Sequence, residues 1–368
     1  DPNAYGKTKD LTSVTGATYT GRFDHLLFAP AMITAGADYQ YNRLHDIMTG
    51  YNRDLQQDVK IASVYAQGEW TVSRVTMLAG LRMDSHNLIS NPILSPRVNL
   101  MWKPSDRLQT RLTWSTGFRA PQAYDEDLHV TAVGGEGVLI QLADGLKPEY
   151  SNSFSGSVDW TFGCGHFLFN ILGELFYTSL DDVFYLRDVG TDADGNAVKE
   201  RRNGDGAQVY GANIEAKAAH GSHLLLQAGL TVQRSRYRKL TAWSDDPTVA
   251  PVRNIPRTPD LYGYFTMNAK PAKRLDVSLS GIYTGRMYVP HFGQQDAMVH
   301  TSDFMELSAK LAYTFPLSHH LRLQLNCGVQ NIFNAFQSDL DRGEYRDSGY
   351  FYGPTQPRTF FVGCKVSY

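Results

Sequence analysis

Apolar and polar residues exchange at almost every step along the C-terminal half of this chain. In Leu321-Arg322-Leu323-Gln324-Leu325-Asn326-Cys327-Gly328-Val329-Gln330 the swap is continuous. In the final segment Phe360, Val362, Cys364, Val366 and Tyr368 form one set, and Phe361, Gly363, Lys365 and Ser367 the other. Strand side chains alternate between faces, so each segment has one apolar and one polar face. The same holds for Leu224, Leu226, Ala228, Leu230 and Val232 against Gln227, Gly229, Thr231 and Gln233. Leu307, Ala309, Leu311, Tyr313 and Phe315 likewise oppose Glu306, Ser308, Lys310 and Thr314.

The pattern predicts fifteen strands, over 15–28, 32–47, 57–71, 75–88, 92–103, 107–117, 149–162, 165–187, 205–217, 222–238, 258–270, 273–287, 302–316, 319–332 and 356–368. A soluble sandwich alternates too, but the connections separate the two folds. Short turns are expected at Ala29-Pro30-Ala31, Ser73-Arg74, Lys103-Pro104-Ser105-Asp106, Gly163-Cys164-Gly165, Gly221-Ser222, Pro271-Ala272 and Pro316-Leu317-Ser318. Between them lie long polar stretches at 48–56, 118–148, 188–204, 239–257, 288–301 and 333–355; only 89–91 is brief where length is expected. Short inner turns alternating with long outer loops are the rule for antiparallel transmembrane β-barrels of the Gram-negative outer membrane. Trp70, Trp102 and Trp160 each sit beside a short turn, where an inner aromatic girdle belongs.

Composition agrees with an all-β membrane wall. The net charge of −2 implies no attraction to nucleic acid. No apolar run approaches the roughly 18 residues of a membrane helix, and a barrel needs none, because its strands show lipid only every second residue. The 21 tyrosines, 18 phenylalanines and 32 glycines suit strands, girdles and turns. Cys164, Cys327 and Cys364 have no metal-ligand spacing. Cys327 and Cys364 are expected on neighbouring lipid-facing strands, either as small apolar residues or as a disulfide. No resident cofactor or metal is implied.

Direction follows from the count. A barrel's last strand ends in the periplasm, so with fifteen strands the first also runs inward, and residues 1–14 are expected in an external loop. Single-chain bacterial barrels have an even number of strands. An odd number is therefore expected before Asp1, on a companion polypeptide produced by a cut in a surface loop. The opening Asp1-Pro2-Asn3-Ala4-Tyr5-Gly6 reads as loop and not as an export leader.

Four segments in fixed order carry the strongest signal. Trp114-Ser115-Thr116-Gly117-Phe118-Arg119-Ala120-Pro121 leaves a strand for the longest loop. Leu146-Lys147-Pro148-Glu149-Tyr150-Ser151-Asn152-Ser153 follows, then Val329-Gln330-Asn331-Ile332-Phe333-Asn334, then Pro357-Arg358 before the aromatic end. The set resembles TonB-dependent outer-membrane receptors across nearly the whole chain. The stretches Gln122–His129 and Asp347–Tyr350 resemble members from the Bacteroides group. What the resemblance implies is a 22-stranded barrel around an N-terminal plug, importing a scarce nutrient when TonB pulls on the plug. Seven strands, the plug and the TonB contact are then expected on the companion fragment, outer-membrane lipid around the wall, and a surface lipoprotein over the pore. Tyr368 resembles the signal read during barrel assembly. In the motif itself, Gly117 is expected to bend the strand and Pro121 to end pairing. Phe118 and Ala120 complete the segment, and Arg119 is expected to hold the loop through Asp125, Glu126 or Asp127, or to face the lumen.

Cargo should meet the outer loops and upper lumen. Arg119, Tyr124, His129, Trp243, Tyr288, His291, His300 and Tyr350 are the candidate contacts. Imidazoles and thioethers over 285–300 could ligate haem or a soft metal, while the aromatics could stack on an aromatic siderophore or a corrin. Asp181-Asp182 is a calcium-like acidic pair. The last loop mixes Asp339, Asp341, Glu344 and Asp347 with Arg342 and Arg346, so it offers no basic patch for an anionic chelate. Import of siderophore iron, haem or cobalamin is the leading function. A passive porin is the alternative, and a surface hydrolase a third, for which no nucleophile-and-base spacing is present.

Overall fold

The structure is a computed structural model, describing residues 6–49, 53–121, 138–193, 195, 197–244, 246–292, 295–343, 346–347, 349–354 and 356–368. Its strands, in chain order, are β1 (Gly6–Leu26), β2 (Ala29–Met48), β3 (Arg53–Val72), β4 (Val75–His86), β5 (Ile93–Ser105), β6 (Leu108–Arg119) and β7 (Val138–Leu142). Then come β8 (Glu149–Cys164), β9 (Phe167–Asp181), β10 (Phe184–Thr191), β11 (Ala197–Asn203), β12 (Ala207–His220), β13 (Leu224–Thr241) and β14 (Val252–Asn254). The last are β15 (Leu261–Ala272), β16 (Leu275–Thr284), β17 (Tyr288–Phe292), β18 (Asp296–His300), β19 (Phe304–Pro316), β20 (Arg322–Gln330) and β21 (Thr359–Ser367).

One 16-stranded sheet holds most of them; β14 pairs only with β13, and the other fifteen run edge to edge from β1 to β21 in chain order. These are the fifteen strands the alternation predicts. The wall is inside out relative to a soluble sheet. Leu112, Leu175, Ile214, Leu230, Val232 and Val362 are exposed, all on the face that alternation makes apolar. That face meets lipid. The other face is polar and cross-linked: Ser63 Oγ donates to Asp84 at 2.6 Å, Asn99 Nδ2 to Thr113 at 2.7 Å, and Asn213 Nδ2 to Glu174 at 2.9 Å. Such bonds satisfy the lumenal side chains in pairs across strands.

Trp102 and Trp160 are exposed on the lipid face near short turns, as a girdle requires. Trp70 differs. It is 9% exposed, packed with Ala29 and Ala31, stacked at 5.7 Å on Phe28, and its indole donates to the Leu26 carbonyl at 3.0 Å. The β1–β2 turn folds over it, because the turn lies at Leu27-Phe28, before Ala29, and Leu27 takes a left-handed φ of 64°. Left-handed residues at this turn and at Ser73 (φ 53°) match the twist of tight hairpins.

Other boundaries also move. Residues 6–14, expected as external loop, are strand: Lys7 to Val14 pair with Ile47 to Gln40. Their two large apolar residues, Leu11 and Val14, fall on opposite faces, so alternation could not mark them. The stretch expected as one strand over 165–187 breaks at Asp182, which adopts φ 56°. Outer loops contain strands of their own: β7, between β6 and β8, joins β10 and β11, between β9 and β12, in a small sheet whose β11–β7 pairing is parallel, and β17–β18, between β16 and β19, form a hairpin. Cys327 and Cys364 do lie on adjacent strands, offset by two positions, since Leu325 faces Cys364 and Cys327 faces Val362. All three cysteines are free and exposed. Among the described residues no helix is long and apolar enough to cross a membrane, and β1 and β21 have one unpaired edge each.

Candidate functional site

The outer end of β13 through β21 carries an ordered cap. It grows from Asn331, which the Asn-Ile-Phe-Asn segment places at the end of β20. Asn331 is 2% exposed with φ 47°, a conformation asparagine tolerates better than most residues. Its Nδ2 donates to the Ala335 and Gln356 carbonyls, both at 2.9 Å, and its Oδ1 accepts from the Ala335 amide at 2.8 Å. Asn334 repeats the device at φ 51°, accepting from the Arg358 amide at 2.9 Å. The loop between β20 and β21 is thereby tied at both feet.

Above these feet, Val289, Phe304, Tyr350 and Tyr352 form a buried cluster. Asp339 clamps it: one carboxylate oxygen accepts from Tyr350 Oη at 2.7 Å, the other from Tyr352 Oη at 2.6 Å. Burial raises the pKa of Tyr350, and the bond to Asp339 adds to it; the same causes push Tyr352 up to about 12. Burial works against the Asp339 carboxylate, but the tyrosine hydrogen bonds outweigh it and hold its pKa below the ordinary value. Next to the clamp, His291 Nε2 donates to Asp341 at 2.6 Å while its ring lies 4.1 Å from that of Tyr350. That bond, with the Asp347 amide at 3.0 Å, lowers the Asp341 pKa. Arg257 then pins the loop from β13–β15, donating to the Phe351 carbonyl at 2.7 Å and to the Gly349 carbonyl.

Five of the eight candidate contacts therefore belong to one assembly, with different tasks. Tyr350 is 4% exposed and serves the cap's core, so it is no cargo platform in this arrangement. His291 is committed to Asp341. Tyr288 faces His300 across the hairpin with rings 4.9 Å apart, whereas His291 faces Ala297. Positions 288 and 291 point to opposite faces, so His291 and His300 cannot share one metal or haem. Trp243 donates its indole N–H to Ala250 at 3.2 Å and lies 5.8 Å from Phe292. It lines a half-open cavity of about 490 Å³ with Asp246, Thr248, Gln295, Asp296 and Met298. Among the described residues no group of three or more His, Cys, Asp or Glu is placed to hold a metal.

Arg119 holds a second junction. Its Nε and Nη2 bind both oxygens of Glu149, at 2.6 and 2.9 Å, and its guanidinium lies 5.0 Å from the Phe184 ring. Glu149 also accepts from the Phe184 amide. The two sequence segments read separately thus form one lock between β6, β8 and β10. Asp125, Glu126 and Asp127, expected as partners, lie outside the described residues, as do Tyr124 and His129. At Gly117 pairing continues without a register shift as far as Arg119, and the missing side chain leaves room for Ser151, whose Oγ would sit 3.0 Å from a Cβ. Beyond Arg119 come Ala120 and Pro121, both buried, where pairing stops. Phe118 lies opposite Tyr150. Asp181 is paired with Arg238, whose Nη1 lies 2.6 Å from its carboxylate. Tyr368 is almost wholly exposed at the chain's end.

A wall of antiparallel strands, apolar outside, hydroxyl-rich inside and capped by loops at one end, defines an outer-membrane barrel. The chain belongs to the TonB-dependent receptor-like β-barrel family, whose profile matches residues 2–332. Comparison with curated protein sequences finds no match. Among solved structures, the chain is similar to the siderophore receptor PirA of Pseudomonas aeruginosa at 15% identity, TM-score 0.68, covering 99% of this chain and 58% of that one. It is also similar to the ferric-catecholate import receptor Fiu of E. coli at 14% identity, TM-score 0.70, covering 100% and 57%. The ferric enterobactin receptor PfeA of Pseudomonas aeruginosa gives 17% identity, TM-score 0.70, and 98% and 54%. The chain thus spans little more than half of each neighbour.

Proposed function

We propose that this chain forms most of the wall and the outer loops of a receptor that imports a ferric siderophore across the outer membrane by TonB-dependent transport. Family membership over residues 2–332 carries the reading. The neighbours named for siderophores and ferric catecholates support the choice of that cargo. The role is transport and not catalysis.

The free edges of β1 and β21 support a companion set of strands. Both strands run the same way, so an odd number must lie between them in a closed antiparallel wall, and seven would complete the 22 implied by the family. The companion also brings the plug and its TonB contact. A fragment on a separate polypeptide and a surface lipoprotein are further parts of this proposal. The test is growth of the producing bacterium under iron limitation, with the gene intact or deleted. The deletion should abolish growth on one ferric siderophore and spare growth on haem and cobalamin-dependent growth. Loss confined to haem or cobalamin would overturn the cargo assignment.

A further inference from the structure

The inner turns carry charge of mostly one sign. Across the seven of them, at 23–29, 70–76, 102–108, 162–168, 219–225, 270–276 and 316–322, seven Lys or Arg stand against three Asp, although the whole chain is net negative at −2. Four of these cations occupy hairpin tips: Arg74 beyond the Val72–Val75 pair, Arg107 beyond Ser105–Leu108, and Lys273 and Arg274 beyond Ala272–Leu275. The tips extend past the last paired residues, so they stand at the rim and not in the lumen. All seven cations are exposed. Among the described residues one of them is ion-paired, Lys270 with Asp276 at 3.9 Å. At the outer end, by contrast, Arg119, Arg202 and Arg238 each meet a carboxylate.

Neighbouring turns stand at one level. The Lys103 amide donates to the Arg74 carbonyl at 2.8 Å, the Lys270 amide to the His223 carbonyl at 2.7 Å, and the Thr314 amide to the Arg274 carbonyl at 2.9 Å. Between Arg107 and Lys270, where the turns have no lysine or arginine, imidazoles continue the row: the rings of His166 and His223 lie 6.1 and 6.2 Å from that of His220. The row begins where the aromatic girdle ends. Lys103 follows Trp102, and the rings of Trp160, Phe162, Phe169 and Phe167 step toward His220 at spacings of 4.4, 5.3, 5.9 and 4.9 Å. The same turns expose apolar side chains: Leu27 is 74% exposed and Leu317 57%, and Val72 and Leu168 are exposed as well. One exposed leucine is ordinary. Repeated in turn after turn beside unpaired cations, such residues make a surface that is apolar and positive at once.

We propose that the inner turns form an anchor for anionic phospholipid in the periplasmic leaflet. Girdle aromatics mark the level of the headgroups, so cations one step further out stand among the phosphates. Lysine and arginine close to an anionic lipid surface are drawn to it. Their stems lie along the acyl boundary while the charged heads stay in water, and Leu27 and Leu317 reach the same boundary. An acidic protein segment would match the charge but leave the exposed apolar residues unexplained. The anchor concerns how the wall is seated in its membrane and is independent of the cargo.

The test uses the complete receptor in lipid nanodiscs of equal phosphatidylglycerol and phosphatidylethanolamine, with the lipids that stay bound identified by native mass spectrometry. The wild type is compared with R74Q/R107Q/K273Q/R274Q and with the charge-preserving R74K/R107K/K273R/R274K, and heat-modifiable mobility checks folding. The wild type should retain phosphatidylglycerol in preference by roughly 5-fold or more. The glutamine variant should retain the two lipids nearly equally, and the charge-preserving variant should match the wild type. Raising the salt to about 1 M, where screening acts within about 3 Å, should abolish the preference of the wild type. No preference in the wild type, a preference that survives the glutamines or the salt, or one lost in the charge-preserving variant would each overturn the anchor. Photo-crosslinking from position 273 in cells should capture lipid; capture of a periplasmic protein in its place would mark a protein-docking surface and overturn the lipid assignment.

Discussion

Asp339 sets the behaviour of the outer cap. Replacing it with alanine leaves the buried Tyr350 and Tyr352 hydroxyls without their acceptor, at a cost of about 1–3 kcal/mol for each. The Tyr352 amide, which donates to Gln337 Oε1 at 2.9 Å, should then exchange its hydrogen faster by roughly 30-fold or more while exchange in the wall is unchanged. The pH dependence follows from the same groups. Asp339 and Asp341 have lowered pKa values, so their contribution is complete above the ordinary value of about 3.9 and is lost as pH falls through the lower folded values. Tyr350 and Tyr352 have raised values, so theirs is complete below about 10 and is lost as pH rises, through about 12 for Tyr352. The cap should hold from about pH 5 to 9 and loosen on the alkaline side. Tyrosinate absorbance should reveal these residues as late titrators; ionisation near pH 10 would contradict the clamp. None of this was legible in sequence. Tyr350 and His291 stood out as an aromatic and an imidazole in a loop, and only the fold shows that each is consumed by a carboxylate 11 or 50 residues away.

At the scale of the element, period-two alternation proved nearly sufficient for strands bathed in lipid. It gave all fifteen wall strands because lipid on one side and a polar lumen on the other impose opposite demands on successive residues. It failed where one of those demands is missing. The outer part of β1 has no apolar face, its Leu11 and Val14 pointing opposite ways, and β7, β17 and β18 are five residues each, in loops away from the wall. The parallel β11–β7 pairing joins segments far apart in sequence, which no local pattern encodes. The face assignment is testable. Ile214→Arg on the lipid face should destabilise the barrel by about 2–4 kcal/mol, whereas Ser157→Arg on the lumenal face should cost little. Equal losses, measured by reversible unfolding in lipid vesicles of the complete receptor, would contradict the assignment. The lock between β6 and β8 makes a second prediction. Arg119→Ala leaves Glu149 mostly buried without its bidentate partner, at about 1–3 kcal/mol of local stability. Limited proteolysis should cut the loops after β6 and β9 sooner, with the wall intact.

For the whole molecule, the sequence carried the family through four ordered segments, and the structure explains why those segments travel together. Two of them meet in the Arg119–Glu149 lock, and a third ties the feet of the cap through Asn331 and Asn334. The molecule that emerges is a lipid-facing wall whose outer loops are tied down by hydrogen bonds. The most direct test is uptake of radiolabelled iron, as its siderophore chelate, by cells that differ only in this gene, with and without a protonophore. The account predicts saturable accumulation that needs both the gene and an intact proton gradient. Accumulation that persists in the presence of the protonophore would mark a passive pore and contradict it.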